Sequence, residues 1–349
     1  MTVLGVTCLR DDGPYAVEWV AHHLAAGLDH ILVLTHDCTD GSDALLDALQ
    51  ASGRVTHLRF APKGRKSVQW QALRLAGDHP LVAGADWVMV FDCDEFLSLD
   101  PAFGDLPGVM EQVQGQGGKA DAVAIPWRLF GSDGQAGYDP ALTPERFRRA
   151  APRDLQFPMA HLFKSLMRPK AFQKLGVHRP RRKPRRDAVW LSAWGERLPD
   201  SFVQNDEMIT LYNHAKAHAP LAELNHYSLR SRDEFMVKRH RGLPNHMQKP
   251  IDVGYWVERN WNTVEETRID AMLPATRAML EDLMTLPDVR ACHEATVAAH
   301  QRRLADIMQD VEETRFHWQL GLTINSTPPS PEALRSYLRS MAAARGNKG

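Results

Sequence analysis

Along its first hundred residues the chain alternates short apolar runs with amphipathic ones. Residues 3–8, 31–35, 55–60 and 87–91 are rich in β-branched and aromatic side chains and are bounded by polar turns, the pattern of buried strands. Between them apolar residues recur at helical spacing. One helix is expected over residues 15–26, with Gly27 as its stop signal. A second follows the capping residues Asp40-Gly41-Ser42-Asp43 and carries Leu45, Leu46 and Leu49, and a third opens at Ser67 and runs through Trp70, Leu73 and Leu75. Strand–helix alternation with short connections predicts an α/β fold built on a doubly wound, parallel sheet.

Past Asp100 the pattern loosens. Residues 122–126 and 162–167 read as strands on either side of a Gly- and Pro-rich stretch, 131–144. The basic, proline-broken run 179–186 is expected to be a solvated loop, with a role facing phosphate or an acidic acceptor as the alternative. From about residue 251 amphipathic helical patterns cover 264–283 and 291–311, and 326–331 is a linker before a last short helix. Two units follow from this: 1–245, an α/β domain, and 246–349, a helical C-terminal extension. The extension must bury its apolar faces on the domain or on a second subunit. It is expected to serve acceptor binding or assembly and to add nothing to donor binding.

Composition narrows the class without deciding it. The 349 residues are 44% hydrophobic and 24% charged, as in ordinary globular proteins, and the net charge of −1 gives no pull toward nucleic acid or anionic membrane. No uncharged apolar run approaches the roughly 18 residues of a membrane span. The first residues lack the basic start of a secretory signal. A cytoplasmic location is expected, with peripheral attachment at the inner membrane face as its variant. Cys8, Cys38, Cys93 and Cys292 are widely spaced and form no Cys-x-x-Cys pair, so reduced thiols are expected.

The candidate chemistry lies in Asp92-Cys93-Asp94-Glu95-Phe96, directly after the run 87–91. In open α/β sheets ligands bind outside the carboxyl ends of the strands. Two aspartates one residue apart at such an end can face one hard cation, which in turn neutralises a diphosphate. An acidic turn is the structural alternative. The loops after the first three strands share the same edge and carry Arg10-Asp11-Asp12-Gly13, His36 to Gly41, and Lys63-Gly64-Arg65-Lys66. Carboxylates suit ribose hydroxyls and base N–H groups, and cations suit phosphates. Arg10, Asp12, Asp37, Lys66 and Asp92 are therefore the candidate nucleotide contacts. Asp37 reads equally as an Asx-turn residue beside a capping Asp40, and Lys66 equally as a solvated lysine. Neither a P-loop nor a dinucleotide fingerprint is present.

Taken in order, these motifs resemble a family. Arg10-Asp-Asp-Gly-Pro-Tyr15, Glu18-Trp19, His22-His23, Asp37-Cys-Thr-Asp-Gly-Ser42 and Asp92-Cys-Asp-Glu-Phe-Leu97 are similar to the family 2-like glycosyltransferases, in the bacterial branch with an Asp-x-Asp-Glu-Phe motif. Gln69-Trp-Gln-Ala-Leu73, Pro126-Trp-Arg-Leu-Phe-Gly131, Gly176-Val-His-Arg-Pro180 and His226-Tyr-Ser-Leu-Arg-Ser231 with Glu234, Lys238 and Arg241-Gly242 extend the likeness to about residue 245. The resemblance implies a GT-A fold with a mixed sheet, a nucleotide-sugar donor, a divalent cation (Mn2+ or Mg2+), and transfer with inversion to a hydroxyl of a glycan or other acceptor. By analogy it points to surface polysaccharide or lipopolysaccharide synthesis. Asp94 with Asp92 would hold the cation, and His226 suits a late third ligand. His178 is the preferred base, with Glu95, Asp206 and Glu207 as alternatives. The first loop departs from the usual Arg-Asn-Glu, which leaves the contact of Asp12 open. His22 and His23 are expected to be structural, and Trp19, Trp70 and Trp127 to be core or acceptor-pocket walls. A sugar-nucleotide pyrophosphorylase would need a Gly-rich basic loop after the first strand, which is absent. A catalytically inert nucleotide- or carbohydrate-binding module is the non-enzymatic rival.

Overall fold

Burial on both faces makes strands of the N-terminal apolar runs. In the computed structural model, which describes residues 1–64, 67–184, 187–204, 218–242 and 251–346, they become β1 (Val3–Leu9), β2 (His30–Thr35), β3 (Val55–Arg59) and β4 (Trp87–Val90). All three pairings among them are parallel, in the order β3-β2-β1-β4. Alternate residues point to opposite sides. Val3, Val33 and Met89 meet Val17, Val20 and Leu24 of α1 (Gly13–Ala25) and Leu45 and Leu49 of α2 (Ser42–Leu49). Leu4, Val6, Leu32 and Val88 meet Ala72, Leu73 and Ala76 of α3 (Val68–Gly77) on the other face. A strand apolar on both faces is what two helical layers require.

The sheet continues as a mixed one. Five strands extend it: β5 (Glu95–Leu99), β6 (Ala122–Leu129), β7 (Phe163–Met167), β8 (Trp190–Ser192) and β9 (Ala222–His226). The order runs β3-β2-β1-β4-β7-β6-β9-β5, with β8 beside the start of β6. β7 is antiparallel to β4 and β6, and β5 is antiparallel to β9. The result is the doubly wound, mixed sheet of an α/β fold. Two of its strands escape a reading by apolar runs. β9 buries Glu223 and Asn225, and β5 buries Ser98, so polar residues interrupt the pattern. Glu223 is satisfied from far away, by Arg153 at 2.5 Å and Arg268 at 3.3 Å.

Among the described residues five helices of ten residues or more follow β9: α4 (Arg232–Arg241), α5 (Leu273–Met284), α6 (Val289–Ile307), α7 (Val311–Leu322) and α8 (Pro331–Gly346). The helix expected from residue 264 starts only at Leu273, because Val264–Glu265 pairs with Arg149–Ala150 instead. Ile269, Leu283 and Val289 belong to the same apolar core as α1 and β1. His22 Nδ1 lies 3.0 Å from Thr276 Oγ1 of α5. At Gly13 a Cβ would lie 2.4 Å from Thr296 Cγ2 of α6, so only glycine permits this approach of α1 to α6. The basic run is not wholly solvated. Arg179 is buried, with its guanidinium 4.4 Å from the centre of the Phe202 ring and donating to Val203 O at 2.8 Å, while residues 185 and 186 lie outside the described residues. No described helix is long and apolar enough to cross a membrane.

Because α5 and α6 close the core over α1, a chain ending at Gly242 is expected to lose cooperative folding. Its thermal transition, followed by near-UV circular dichroism, should be broad or absent. A sharp transition with an intact spectrum would show that residues 1–242 do not need this cover.

Candidate functional site

Sheet direction decides which side chains meet. β1, β2, β4, β6 and β9 end at one edge, and the antiparallel β5 and β7 begin there. Asp92 and Asp94 emerge just after β4, Glu95 opens β5, Lys164 stands at the start of β7 and His226 closes β9. Glu95 is directly opposite His226 in the β5–β9 ladder. The buried indole of Trp19 donates from Nε1 to Asp92 O at 3.1 Å and Glu95 O at 2.9 Å, which pins the acidic turn onto α1. Trp19 is thus a core residue. His22 and His23 are too: His22 Nε2 lies 2.7 Å from Leu97 O and His23 Nδ1 2.8 Å from Trp19 O. Burial holds the pKa of His22 down to about 4.

Each carboxylate of the motif has a cation. Asp92 Oδ2 accepts from Lys164 Nζ at 2.9 Å, and its Oδ1 accepts from Gln69 Nε2 at 3.0 Å. Lys164 Nζ also lies 3.4 Å from Glu95 Oε1, and both of these side chains are fully buried. Burial opposes the charge of Lys164, but Asp92 and Glu95 outweigh it and raise the pKa above the usual lysine value. Glu95 is pushed well up by burial, against the pull of Lys164. Its other oxygen accepts from Asp92 N at 3.0 Å. Asp94 Oδ2 accepts from Lys238 Nζ of α4 at 2.7 Å, and Asp94 Oδ1 is 3.6 Å from His226 Nε2. Burial works to raise the Asp94 pKa, but Lys238 and then His226 hold it well below the usual range.

The histidines form the neutral side of the site. His178 Nδ1 is 3.0 Å from the carbonyl oxygen of Phe163, so this nitrogen carries the proton and Nε2 is left with its lone pair. Burial, followed by the charge of Lys164, holds its pKa down to about 3. The pKa of His226 is lowered by burial against the opposing effect of Asp94, and its buried Nδ1 has no partner among the described residues. Trp127 lies between them, 5.1 Å from the His178 ring and 4.2 Å from the His226 ring. Trp70, by contrast, is exposed.

The first two loops are locked by Asp11 rather than Asp12. Asp11, at φ +52°, accepts from Thr39 N at 2.6 Å, Asp40 N at 3.2 Å and Arg303 Nη1 of α6 at 2.9 Å. Asp12 pairs with Arg241 of α4, and Arg10 donates to the Arg241 carbonyl. Asp40 caps both α1 and α2, through Gly13 N at 3.1 Å and Ser42 N at 2.8 Å, while Asp37 stands exposed at φ +47° beside His36. A cleft of about 300 Å³ opens here, lined by Asp11, Thr39, Asp40, His300, Arg302 and Arg303. Residues of α6 therefore reach the loops after β1 and β2. Lys66, Asp206 and Glu207 lie outside the described residues.

Two carboxylates are hard donors suited to Mg2+ or Mn2+, and an imidazole is a borderline nitrogen donor that Mn2+ accepts more readily than Mg2+. Among the described residues no group of three such side chains converges at metal-ligand spacing. The three side chains do not by themselves close a metal site, so a cation there would have to take its remaining ligands from a bound diphosphate or water.

Lys164, Lys238, Arg241 and Arg303 are the charged partners that reading the sequence for motifs left without a role. Lys238 and Arg241 stood in the quoted motif, Lys164 was hidden in a strand, and Arg303 sat on an amphipathic helix whose covering surface the sequence did not name. Replacing Lys164 by Met strands two carboxylates and is expected to cost about 3–5 kcal/mol of stability. The double change Lys164→Met with Glu95→Gln should recover part of it in urea unfolding. A loss below about 1 kcal/mol would show that the pairing is not a structural requirement.

The chain is matched to no curated protein. Among solved structures it is similar to a putative glucose-1-phosphate thymidylyltransferase from Bacillus anthracis, in complex with a sucrose, at 14% identity and a TM-score of 0.28, over 49% of this chain and 72% of that one. Residues 1–349 of TarS from S. aureus are similar at 8% identity and a TM-score of 0.34, over 88% of this chain and 92% of that one, and so is their complex with UDP. Scores this low leave the assignment to the family match. The model of glycosyltransferase family 92 matches residues 14–272, which take in the acidic motif, both histidines and all of α4, and run past residue 245. Where the sequence suggested the family 2-like group, the match names another family of the same class of enzyme. The chain belongs to glycosyltransferase family 92, and the protein is a glycosyltransferase.

Proposed function

We propose that the enzyme takes its sugar from a nucleotide-sugar donor, bound together with Mn2+ or Mg2+ at Asp92, Asp94 and His226, and passes it with inversion to an acceptor hydroxyl on a glycan. The observation that carries this reading is the placement of Asp94 at the carboxyl edge of the sheet, between an ammonium and a neutral imidazole, in a member of a glycosyltransferase family. The cation would supply positive charge against which a diphosphate departs. The remaining work falls to side chains of this protein. Asp12 and Asp37 follow β1 and β2, where a ribose and a base offer O–H and N–H donors. Arg10, beside Arg241, is placed for phosphate.

His178 is the base in this reading. Its tautomer leaves Nε2 as an acceptor, and its low pKa keeps the ring neutral above about pH 3. Glu95 has the opposite character. It is fully buried behind Asp92, where it keeps Lys164 in place rather than meeting an acceptor, and is therefore a positioning residue. Trp127 offers a face beside both imidazoles on which a sugar ring can rest.

Asp94→Asn is expected to abolish transfer and the Mn2+-dependent stabilisation by nucleoside diphosphates, with the fold retained. In the wild type, a matching nucleoside diphosphate at a hundred times its Kd should add about 2.7 kcal/mol. A thermal-shift panel in which no nucleoside diphosphate stabilises the wild type would overturn the donor reading. Slow release of nucleoside diphosphate from a donor separates this enzyme from an inert binding module. His178→Gln should lower kcat by about 10²- to 10⁴-fold with KM little changed. Because His178 is neutral across the working range, the wild-type kcat profile should lack its inflection near pH 6.5. An inflection there that disappears in His178→Gln would contradict the environment described.

A further inference from the structure

Two cations of α4 stand against the candidate donor carboxylates and have no part in the chemistry above. Lys238 Nζ lies 2.7 Å from Asp94 Oδ2 and donates to Ser228 O, also at 2.7 Å. Three residues on, Arg241 pairs with Asp12 and donates to the carbonyl oxygens of Arg10 at 2.9 Å and Asp11 at 3.3 Å. Positions three apart share a helix face. α4 thus lays an ammonium on the carboxylate delivered by β4 and a guanidinium on the one delivered by β1. Both cationic side chains are only 11% exposed. The helix itself is anchored at its other end, where Ser231 and Glu234 form a capping box and Arg146 grips Glu234 at 3.0 and 2.6 Å.

Charge balance determines what can enter. The Asp94–Lys238 and Asp12–Arg241 pairs are neutral as they stand. A divalent cation adds two positive charges, and the diphosphate of a nucleotide sugar adds two negative ones. Either alone leaves a net charge of two units in a largely dry pocket, whereas both together restore neutrality. A cation that takes Asp94 also strips Lys238 of the carboxylate it pairs with, and a phosphate oxygen is the anion that would replace it. The lysine stem is long enough to turn from one partner to the other while the helix stays fixed.

We propose that Lys238, flanked by Arg241, is a resident stand-in for the divalent cation: it neutralises Asp94 in the free enzyme and passes to the donor diphosphate when a cation takes that carboxylate, so that cation and donor bind as a pair. This rests on the donor reading of the preceding section. Binding of Mn2+ to the full chain, measured by electron paramagnetic resonance with and without UDP or GDP, tests it. In the wild type Mn2+ alone should bind at least tenfold more weakly than Mn2+ with the matching nucleotide, and the coupling should be reciprocal. Lys238→Met frees Asp94, so Mn2+ alone should bind at least tenfold more tightly while the nucleotide with Mn2+ binds at least tenfold more weakly. Lys238→Arg, which keeps the charge and guards against a folding defect, should retain the coupling. If Lys238→Met binds Mn2+ no better than the wild type, or if Lys238→Arg loses the coupling, the exchange is overturned although the donor reading stands. Nucleotide binding in the wild type that ignores Mn2+ would instead bring down the cation site itself, and the exchange with it.

Discussion

Charge compensation at the carboxyl edge of the sheet is the constraint on which the rest of the structure turns. The strand ends bring Asp11, Asp12, Asp92, Asp94 and Glu95 together, and all but Asp92 are largely buried. Two like charges 4 Å apart near a protein surface repel by about 4 kcal/mol. Such a cluster persists only if cations are brought to it. They come from β7, α4 and α6, 72 to 292 positions along the chain from the carboxylates they meet. Buried ion pairs add little net stability over apolar packing, but removing one partner is costly. Their consequence is geometric: each carboxylate is held at a fixed place and orientation before any ligand arrives.

The same constraint explains what was legible in the sequence. Strands β1, β2 and β4 are apolar on both faces, so periodicity reveals them, and Asp92 and Asp94 are found because they follow such a run. Strands β5 and β9 are equally buried but carry Ser98 and Glu223, whose partners lie far along the chain, and Asn225, which donates to Tyr227 Oη two residues on. No local pattern announces a polar residue that a distant arginine will satisfy. Lys164 is the extreme case, a lysine with a fully buried side chain inside a strand. A lysine there reads as outward-facing until the carboxylates opposite it are known. Asp37 and Asp40 show the converse. Both were visible, and the hydrogen bonds assign capping to Asp40 and leave Asp37 exposed.

The C-terminal helices belong to this balance as well. Arg303 lies beyond the stretch that the family model matches, yet it binds the carboxylate that also holds Thr39 and Asp40. Through Asp11 it connects α6 to the loops after β1 and β2 at once. The close approach at Gly13 has the same effect from the backbone side, since α1 starts where α6 passes. Amphipathic periodicity shows that such helices must be covered, but not what they cover. Here they cover α1 and α2 and border the cleft beside the loops after β1 and β2.

Within the site the ionic and neutral groups are segregated. Asp12, Arg241, Lys238 and Asp94 form a charged side, whereas His226, Trp127 and His178 form one whose imidazoles burial keeps uncharged. Transfer of a sugar from a diphosphate separates an uncharged ring from an anionic leaving group, and the two need different surroundings. A charged imidazole beside the ring would compete for the diphosphate and repel a cation. A neutral one leaves a lone pair for an acceptor proton. The two sides meet where Asp94 Oδ1 faces His226 Nε2 across 3.6 Å. In the proposed reaction the bond that breaks belongs at that boundary, because there a compensated anion site and a neutral ring site lie within one side chain of each other.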